Sequence, residues 1–249
     1  MAPGYIFAPS HSITRQVITF TVGAGTLTIE ADQSTPLYEM IEEIVDYDCY
    51  QLQQLGLSYS KDSLVIDVGA NVGVFSLIMA QQHPGQVVAL EPIPGNVKMI
   101  RANLEANKLP NVSVLPCALA ATDGEVELAI DPGVSVSAHS PSEAERRQAD
   151  CLLRVRAISL PTLLQLHSNK EIDLLKMDCE GYEYDILGSV TPVIAQRIRN
   201  VTLEVHDRGR RRNLRALKSK LEDLGFRTHT KPEMFGRRGL YHLAGHRQV

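Results

Sequence analysis

Apolar residues follow two different periods along this chain, and the changes of period mark its elements. Residues 13–20 and 26–31 alternate apolar and polar positions around Val22-Gly23-Ala24-Gly25, which predicts a β-hairpin with one buried face. Across residues 36–55, Ile41, Ile44, Val45 and Leu52 recur at roughly helical spacing and Pro36 suits a first turn, so a helix is expected there. From Ser63 onward, continuous apolar runs at 64–68, 87–90, 112–119, 174–177 and 201–205 read as buried strands. Helices are expected between them at 72–80, 95–107 and 182–187, and 125–130 reads as a return strand after the Thr122-Asp123-Gly124 turn. Leu214, Leu217, Leu221 and Leu224 define a last helix ending at Gly225, with strands at 226–230 and 239–244 after it. Strand alternating with helix predicts an α/β fold, a mostly parallel sheet with helices on both faces.

Residues 131–150 break this rhythm: they are polar, hold two prolines and have almost no apolar period, and so read as a long loop. The 249 residues, 44% of them hydrophobic, suffice for one full core, with residues 1–60 as a small hairpin-and-helix cap on a main domain from 61 to 249. A formal net charge of -4 gives no electrostatic case for nucleic acid, which favours a small-molecule partner. No signal-peptide pattern opens the chain and no apolar run reaches membrane-spanning length, so a cytoplasmic protein without a membrane partner is expected. Cys49, Cys117, Cys151 and Cys179 form no C-x-x-C pair and read as reduced thiols.

The chemistry concentrates at 64–76, where a buried strand breaks into a glycine loop that opens a helix. Gly69 and Gly73 can take positive φ or admit a ligand to the backbone, and the helix start directs its free N–H groups toward that ligand. The spacing is G-x-x-x-G, unlike the G-x-G-x-x-G that a dinucleotide requires, and Asp67 beside it would repel a diphosphate. It suits a ligand with a cationic amino group, reached directly or through water. Glu91, at the end of the next apolar run, is placed to accept both hydroxyl protons of a ribose.

The blocks VIDVGANVGVFS (65–76), EPIPGNVKMIRANLEAN (91–107), DLLKMDCEGYEYDIL (173–187) and VTLEVHD (201–207) resemble the FkbM family of S-adenosylmethionine-dependent methyltransferases. The resemblance implies the Rossmann-like, doubly wound class I methyltransferase fold with a closing hairpin, S-adenosyl-L-methionine as cofactor, an oxygen acceptor, and 131–150 as an acceptor-side segment. The expected cofactor set is Asp67, Gly69, Ala70, Asn71, Gly73, Phe75, Glu91, Pro92, Asn96 and Ala118, with Tyr47 and Tyr50 of the cap either touching the cofactor or packing on the sheet.

Acidic clusters fall at the carboxyl ends of two strands, where open α/β sheets bind ligands: Asp178-Cys179-Glu180 and Glu204-Val205-His206-Asp207. A neutral imidazole at His206 suits a general base, with Asp178 or Glu180 as rivals. Asp178, Glu180, Glu204 and His206 could together hold Mg²⁺. A helix-capping role for Glu180 removes it from that set and favours a metal-free reading. Glu204 could instead pair with an arginine such as Arg199. The basic run Arg208, Arg210, Arg211, Arg212 and Arg215 reads as a solvated helix face. The competing readings are a nicotinamide-dependent oxidoreductase on a related fold and a non-catalytic RNA- or ligand-binding module.

Overall fold

The computed structural model describes residues 14–130, 138–142, 152–168, 170–209, 212–234, 237 and 239–247. A hairpin of β1 (Arg15–Val22) and β2 (Gly25–Asp32) leads into α1 (Leu37–Val45) and α2 (Leu52–Leu55). The alternating unit runs β3 (Leu64–Val68), α3 (Val74–Gln82), β4 (Gln86–Leu90), α4 (Pro94–Asn107) and β5 (Val112–Leu115). Strands β6 (Ala118–Ala120), β7 (Gly124–Ile130), β8 (Ala138–His139) and β9 (Leu152–Ser159) make a second sheet, and α5 (Leu160–Leu166) follows. The chain continues with β10 (Ile172–Met177), α6 (Glu183–Ser189), α7 (Pro192–Ala195), β11 (Ile198–His206), α8 (Leu214–Asp223), β12 (Phe226–Pro232) and β13 (Leu240–Arg247).

The main sheet has the order β12-β13-β11-β10-β3-β4-β5. It is parallel except for β13, which runs antiparallel to both its neighbours. Every residue of β3 and β10 is buried, as their continuous apolar runs require of strands covered on both faces. From β3 the chain winds outward through β4 and β5, then returns to β10 and winds the other way. The carboxyl ends of β3 and β10 therefore flank a topological switch point, the place where a doubly wound sheet opens a crevice. Among the described residues no helix is long and apolar enough to cross a membrane.

Four expectations change. The strand expected over 112–119 breaks at Pro116, which cannot donate to a ladder; its second half, β6, pairs in the four-stranded sheet β6-β9-β7-β8. Strand β9 was not among the predicted elements, although Arg154 and Arg156 alternate with buried Val155 and Ala157 in strand period. The long loop contains β8, paired to Ala129 and Ile130; residues 131–137 and 143–150 lie outside the described residues. The helix expected over 36–55 is two helices, because Asp48 and Gln51 take left-handed φ of 48° and 56°. The Asp48 carboxylate accepts from Leu52 N at 2.8 Å and Gln53 N at 3.1 Å, and so starts α2.

The hairpin is built into the core. Leu27, Ile29 and Ala31 on its inner face pack with Leu77 and Ile78 of α3 and Ile100 and Leu104 of α4. That second apolar neighbour explains why α3 is buried on all sides from Val74 to Ala80. Two amides of α4 complete the hydrogen bonding of β2. Asn103 accepts from Glu30 N at 2.9 Å and donates to Glu30 O at 3.0 Å and Val72 O at 3.1 Å. Asn107 accepts from Thr28 N at 2.8 Å and donates to Thr28 O at 2.6 Å. Asn103→Ala should cost about 1–3 kcal/mol by stranding these buried groups and should expose the hairpin to protease. An unchanged urea midpoint would refute this coupling of cap and glycine loop.

Candidate active site

A cavity enclosing about 860 Å³, its open mouth included, lies at the switch point. Its walls come from the loop after β3 (Gly69, Ala70, Asn71), the end of β4 with the start of α4 (Glu91, Pro92, Ile93, Asn96) and the turn after β10 (Asp178, Cys179, Glu180). Phe75, Ala118, Leu119, Leu128 and Ala138 complete the lining together with Met40, Ile44 and Tyr50 of the cap. A lining that is largely apolar with a few convergent polar groups suits a ligand such as a nucleoside with an amino-acid tail.

The glycine loop is shaped by what crowds it. Gly69 has φ +74°, and a Cβ there would lie 1.8 Å from Asp178 O, so β3 and the β10 turn meet only through a glycine. Gly73 opens α3 at φ +94° and a Cβ would press Leu77; it shapes the turn but does not line the cavity, contrary to its expected contact role. Asn71 also has positive φ, 52°, and its buried Oδ1 has no hydrogen-bond partner among the described residues. An acceptor left open on a cavity wall fits a ligand donor.

Glu91 is almost fully buried beside it. One carboxylate oxygen accepts from Asn71 N at 2.8 Å, the other from Ile93 N at 2.9 Å and Asn96 Nδ2 at 3.3 Å. Burial pushes its pKa up to about 7, against the lowering effect of those hydrogen bonds. The oxygen that takes Asn71 N keeps a lone pair for a ribose hydroxyl, while the other already has two donors.

Asp67 stands elsewhere than expected. It is fully buried and does not line the cavity. Its Oδ1 is 2.9 Å from Lys176 Nζ and its Oδ2 accepts from Ser76 Oγ at 2.6 Å, so protein groups take the place foreseen for a ligand amino group. Lys176 is the residue that the sequence reading missed. It sits near the carboxyl end of β10, donates to Gly69 O at 3.0 Å and Val68 O at 3.4 Å, and reaches the cavity wall. Its sequence signal was a lysine inside the otherwise apolar run 174–177, which demands a buried partner. Of the cap tyrosines, Tyr50 lines the cavity and donates to Asp178 Oδ2 at 3.1 Å, whereas Tyr47 bonds Pro232 O at the surface.

Asp178 and Glu180 face the cavity, and Glu204 and His206 stand behind them. His206 Nε2 is 3.2 Å from Glu180 Oε2 and 3.5 Å from Glu204 Oε1, while Nδ1 is 3.3 Å from Glu183 Oε1. Burial alone would lower the His206 pKa, but its hydrogen bonds to Glu180 and Glu183 prevail and raise it to about 11. An imidazolium has no lone pair to accept a proton, which corrects the assignment of His206 as a neutral base. Glu204 is held well above the usual carboxylate range by burial first and by Asp178 next. Glu180 does not cap α6: fully buried Glu183 takes Gly181 N at 2.8 Å, and Glu180 turns to His206. Arg199 pairs with Glu171 and Asp173, leaving Glu204 to His206. Arg208 of the basic run is exposed, yet its guanidinium is not free in solvent. It donates to Ser140 O at 2.8 Å and Glu180 O at 3.0 Å, tying the strap that includes β8 to the β10 turn. Arg210 and Arg211 lie outside the described residues.

A family model described as the methyltransferase FkbM domain matches residues 67–228. The chain belongs to the FkbM methyltransferase family. It is 28% identical over 214 residues to methyltransferase sdnD of Sordaria araneosa, covering 74% of this chain and 80% of that one. Over 212 residues it is 28% identical to the 31-O-demethyl-FK506 methyltransferase FkbM of Streptomyces tacrolimicus, covering 74% and 79%. The fold is similar to that of the 16S rRNA N2 G1207 methyltransferase RsmC of T. thermophilus, with a TM-score of 0.52 at 14% identity over 97% of this chain and 53% of that one. This FkbM-family protein is therefore an S-adenosylmethionine-dependent methyltransferase of class I fold, and the oxidoreductase and non-catalytic readings are set aside.

Lys176→Met should destabilise the FkbM-family fold by about 3–5 kcal/mol, because Asp67 is left charged and buried without a partner. The double variant Asp67→Asn/Lys176→Met should recover much of that loss in urea unfolding, and equal losses in both would sink the pairing. Glu91 gives a pH test with a definite sign. Its folded pKa, about 7, exceeds the ordinary glutamate value of 4.5, so between these values the folded state keeps a proton that the unfolded chain releases. Stability of the cofactor-free protein should thus fall as pH rises through that window, and Glu91→Gln should flatten the dependence of Tm on pH. A wild-type Tm that climbs from pH 4.5 to 7 would contradict it.

Proposed function

We propose that this enzyme O-methylates a small molecule through a free hydroxyl group. The observation that carries the reading is the pair of carboxylates, Asp178 and Glu180, on the cavity wall at the carboxyl ends of the strands. S-adenosylmethionine supplies an electrophilic methyl group; a neutral hydroxyl attacks it only if its proton has somewhere to go. Asp178, fixed by the Tyr50 hydroxyl, and Glu180, reached from behind by His206, orient the hydroxyl and take that proton between them. His206, as an imidazolium, holds Glu180 and Glu204 in place.

Two further observations support a small acceptor bound through oxygen. The Streptomyces relative is named for a 31-O-demethyl substrate, a position that offers oxygen. The cavity is walled by the cap on one side and by Ala138 of β8 on another, which leaves room for a compact acceptor. The formal charge of -4 offers no long-range attraction to a nucleic acid.

The test is methyl transfer from labelled cofactor to pooled metabolites, glycosides and natural products, with the product's methyl located by mass spectrometry and NMR. An ether methyl is expected. Asp178→Asn and Glu180→Gln should each lower kcat by about two to four orders of magnitude while calorimetry still shows cofactor binding. Transfer confined to nitrogen or sulfur acceptors, or full activity in both variants, would overturn the proposal.

A further inference from the structure

We infer that Asp178, Glu204 and His206 form a binding site for a divalent cation on the acceptor side of the cavity. A carboxylate oxygen of Asp178, one of Glu204 and a ring nitrogen of His206 all lie within 4.8 Å of one another. Small side-chain rotations would bring all three to about 2.1 Å from one ion. With an imidazole among carboxylates, the donor set suits Mn²⁺ or Zn²⁺ better than the all-oxygen shell that Ca²⁺ prefers.

Three observations beyond proximity point to an ion. Four carboxylates, Asp178, Glu180, Glu183 and Glu204, surround a single imidazole, and the cations around them are committed: Lys176 to Asp67, Arg237 to Glu43 and Glu233, Arg208 to backbone carbonyls. Largely buried negative charge in such excess calls for a cation. His206 is oriented as ligating histidines are, with Nδ1 on the fully buried Glu183 carboxylate and Nε2 turned toward the acids, 3.2 Å from Glu180 and 3.5 Å from Glu204.

The third observation is independent of the cluster. His242 on β13 is fully buried, and neither ring nitrogen has a hydrogen-bond partner among the described residues. It stands directly opposite Glu204 in the β11–β13 ladder, so the two side chains leave the sheet on the same face. Its ring meets the Tyr50 ring edge-on at 5.9 Å, and Tyr50 holds Asp178. A buried polar ring aimed at these acids and left unpartnered is explained by a coordinated water of an ion held beside it.

The inference rests on the hydroxyl reading above and deepens it. Binding of the ion replaces the Nε2 proton of the imidazolium, which leaves to solvent, and turns His206 from Glu180, whose carboxylate stays on the cavity wall. The ion draws electron density from the acceptor oxygen, and the O–H proton passes to Glu180. The oxygen lone pair forms the O–C bond, and the S–C bond pair returns to the cofactor sulfur, which becomes neutral.

The experiment is titration of chelator-stripped, full-length protein with Mn²⁺ alone, followed by calorimetry and electron paramagnetic resonance. One saturable equivalent is expected. Glu204→Gln and Asp178→Asn should each weaken it by about tenfold to a hundredfold, and circular dichroism identifies any variant that fails to fold. No saturable Mn²⁺ or Zn²⁺ binding by the wild type up to about 1 mM, the weak end of protein cation sites, overturns the site, as does equal affinity in folded variants. Turnover of a hydroxyl acceptor that persists in chelator refutes the ion's catalytic role and leaves the function standing. Tight Mn²⁺ binding with transfer only to other atoms refutes the function and leaves the site standing.

Discussion

The buried pair Lys176 and Asp67 holds the centre of this molecule together. It joins two neighbouring parallel strands, β10 and β3, at the switch point, and the lysine also donates to Gly69 O, so the strand pair and the glycine loop are fixed by one ammonium group. Asp67 extends the link to α3 through Ser76, and the ammonium lies 5.4 Å from the Tyr50 ring centroid and 5.7 Å from that of Phe75. A buried ion pair adds little net stability relative to an apolar pair, but it tolerates few alternative registers, because any slip strands a charge in the core. Two strands and a loop are thereby placed to within hydrogen-bond tolerance before a ligand arrives.

The N-terminal cap is part of the site for the same reason. Asn103 hydrogen-bonds both to β2 and to Val72 of the glycine loop, so the hairpin and the cofactor loop share one fastening. The cap then delivers Tyr50 to Asp178, which makes an acid at the end of β10 depend on a residue 128 positions earlier. On the opposite side Arg208 draws Ser140 and Glu180 together, so the strap and the acid turn form one wall. The cavity is closed in part by segments that are not part of the central sheet.

Charge organises the acceptor side. His206 binds three carboxylates, and its own charge state is the product of that setting, since burial alone would have driven it neutral. Glu204 is pushed the opposite way by burial and by Asp178. An imidazolium or an ion meets the same demand for positive charge at this point, and the orphaned ring of His242 favours the ion.

The sequence by itself determined the doubly wound sheet, the hairpin and the glycine turn, because strand and helix periods and a glycine-bracketed turn are local properties, whereas the crowding of Gly69 by Asp178 O arises only in the fold. It also placed Glu91, Asp178 and Glu180 at strand ends, since the end of an apolar run is visible in the chain. What it could not determine were partners. Asp67 reads as a ligand group until Lys176 is brought beside it from another strand, and His206 reads as a base until Glu180, Glu183 and Glu204 surround it. The split at Pro116 was marked by a proline, but the pairing of β6 with β9 joins residues 39 positions apart, as in Ala118 with Ala157, and has no local signal. Burial and charge act through space, so the charge states and contacts of these acids, and with them the chemistry, were decided only by the tertiary structure.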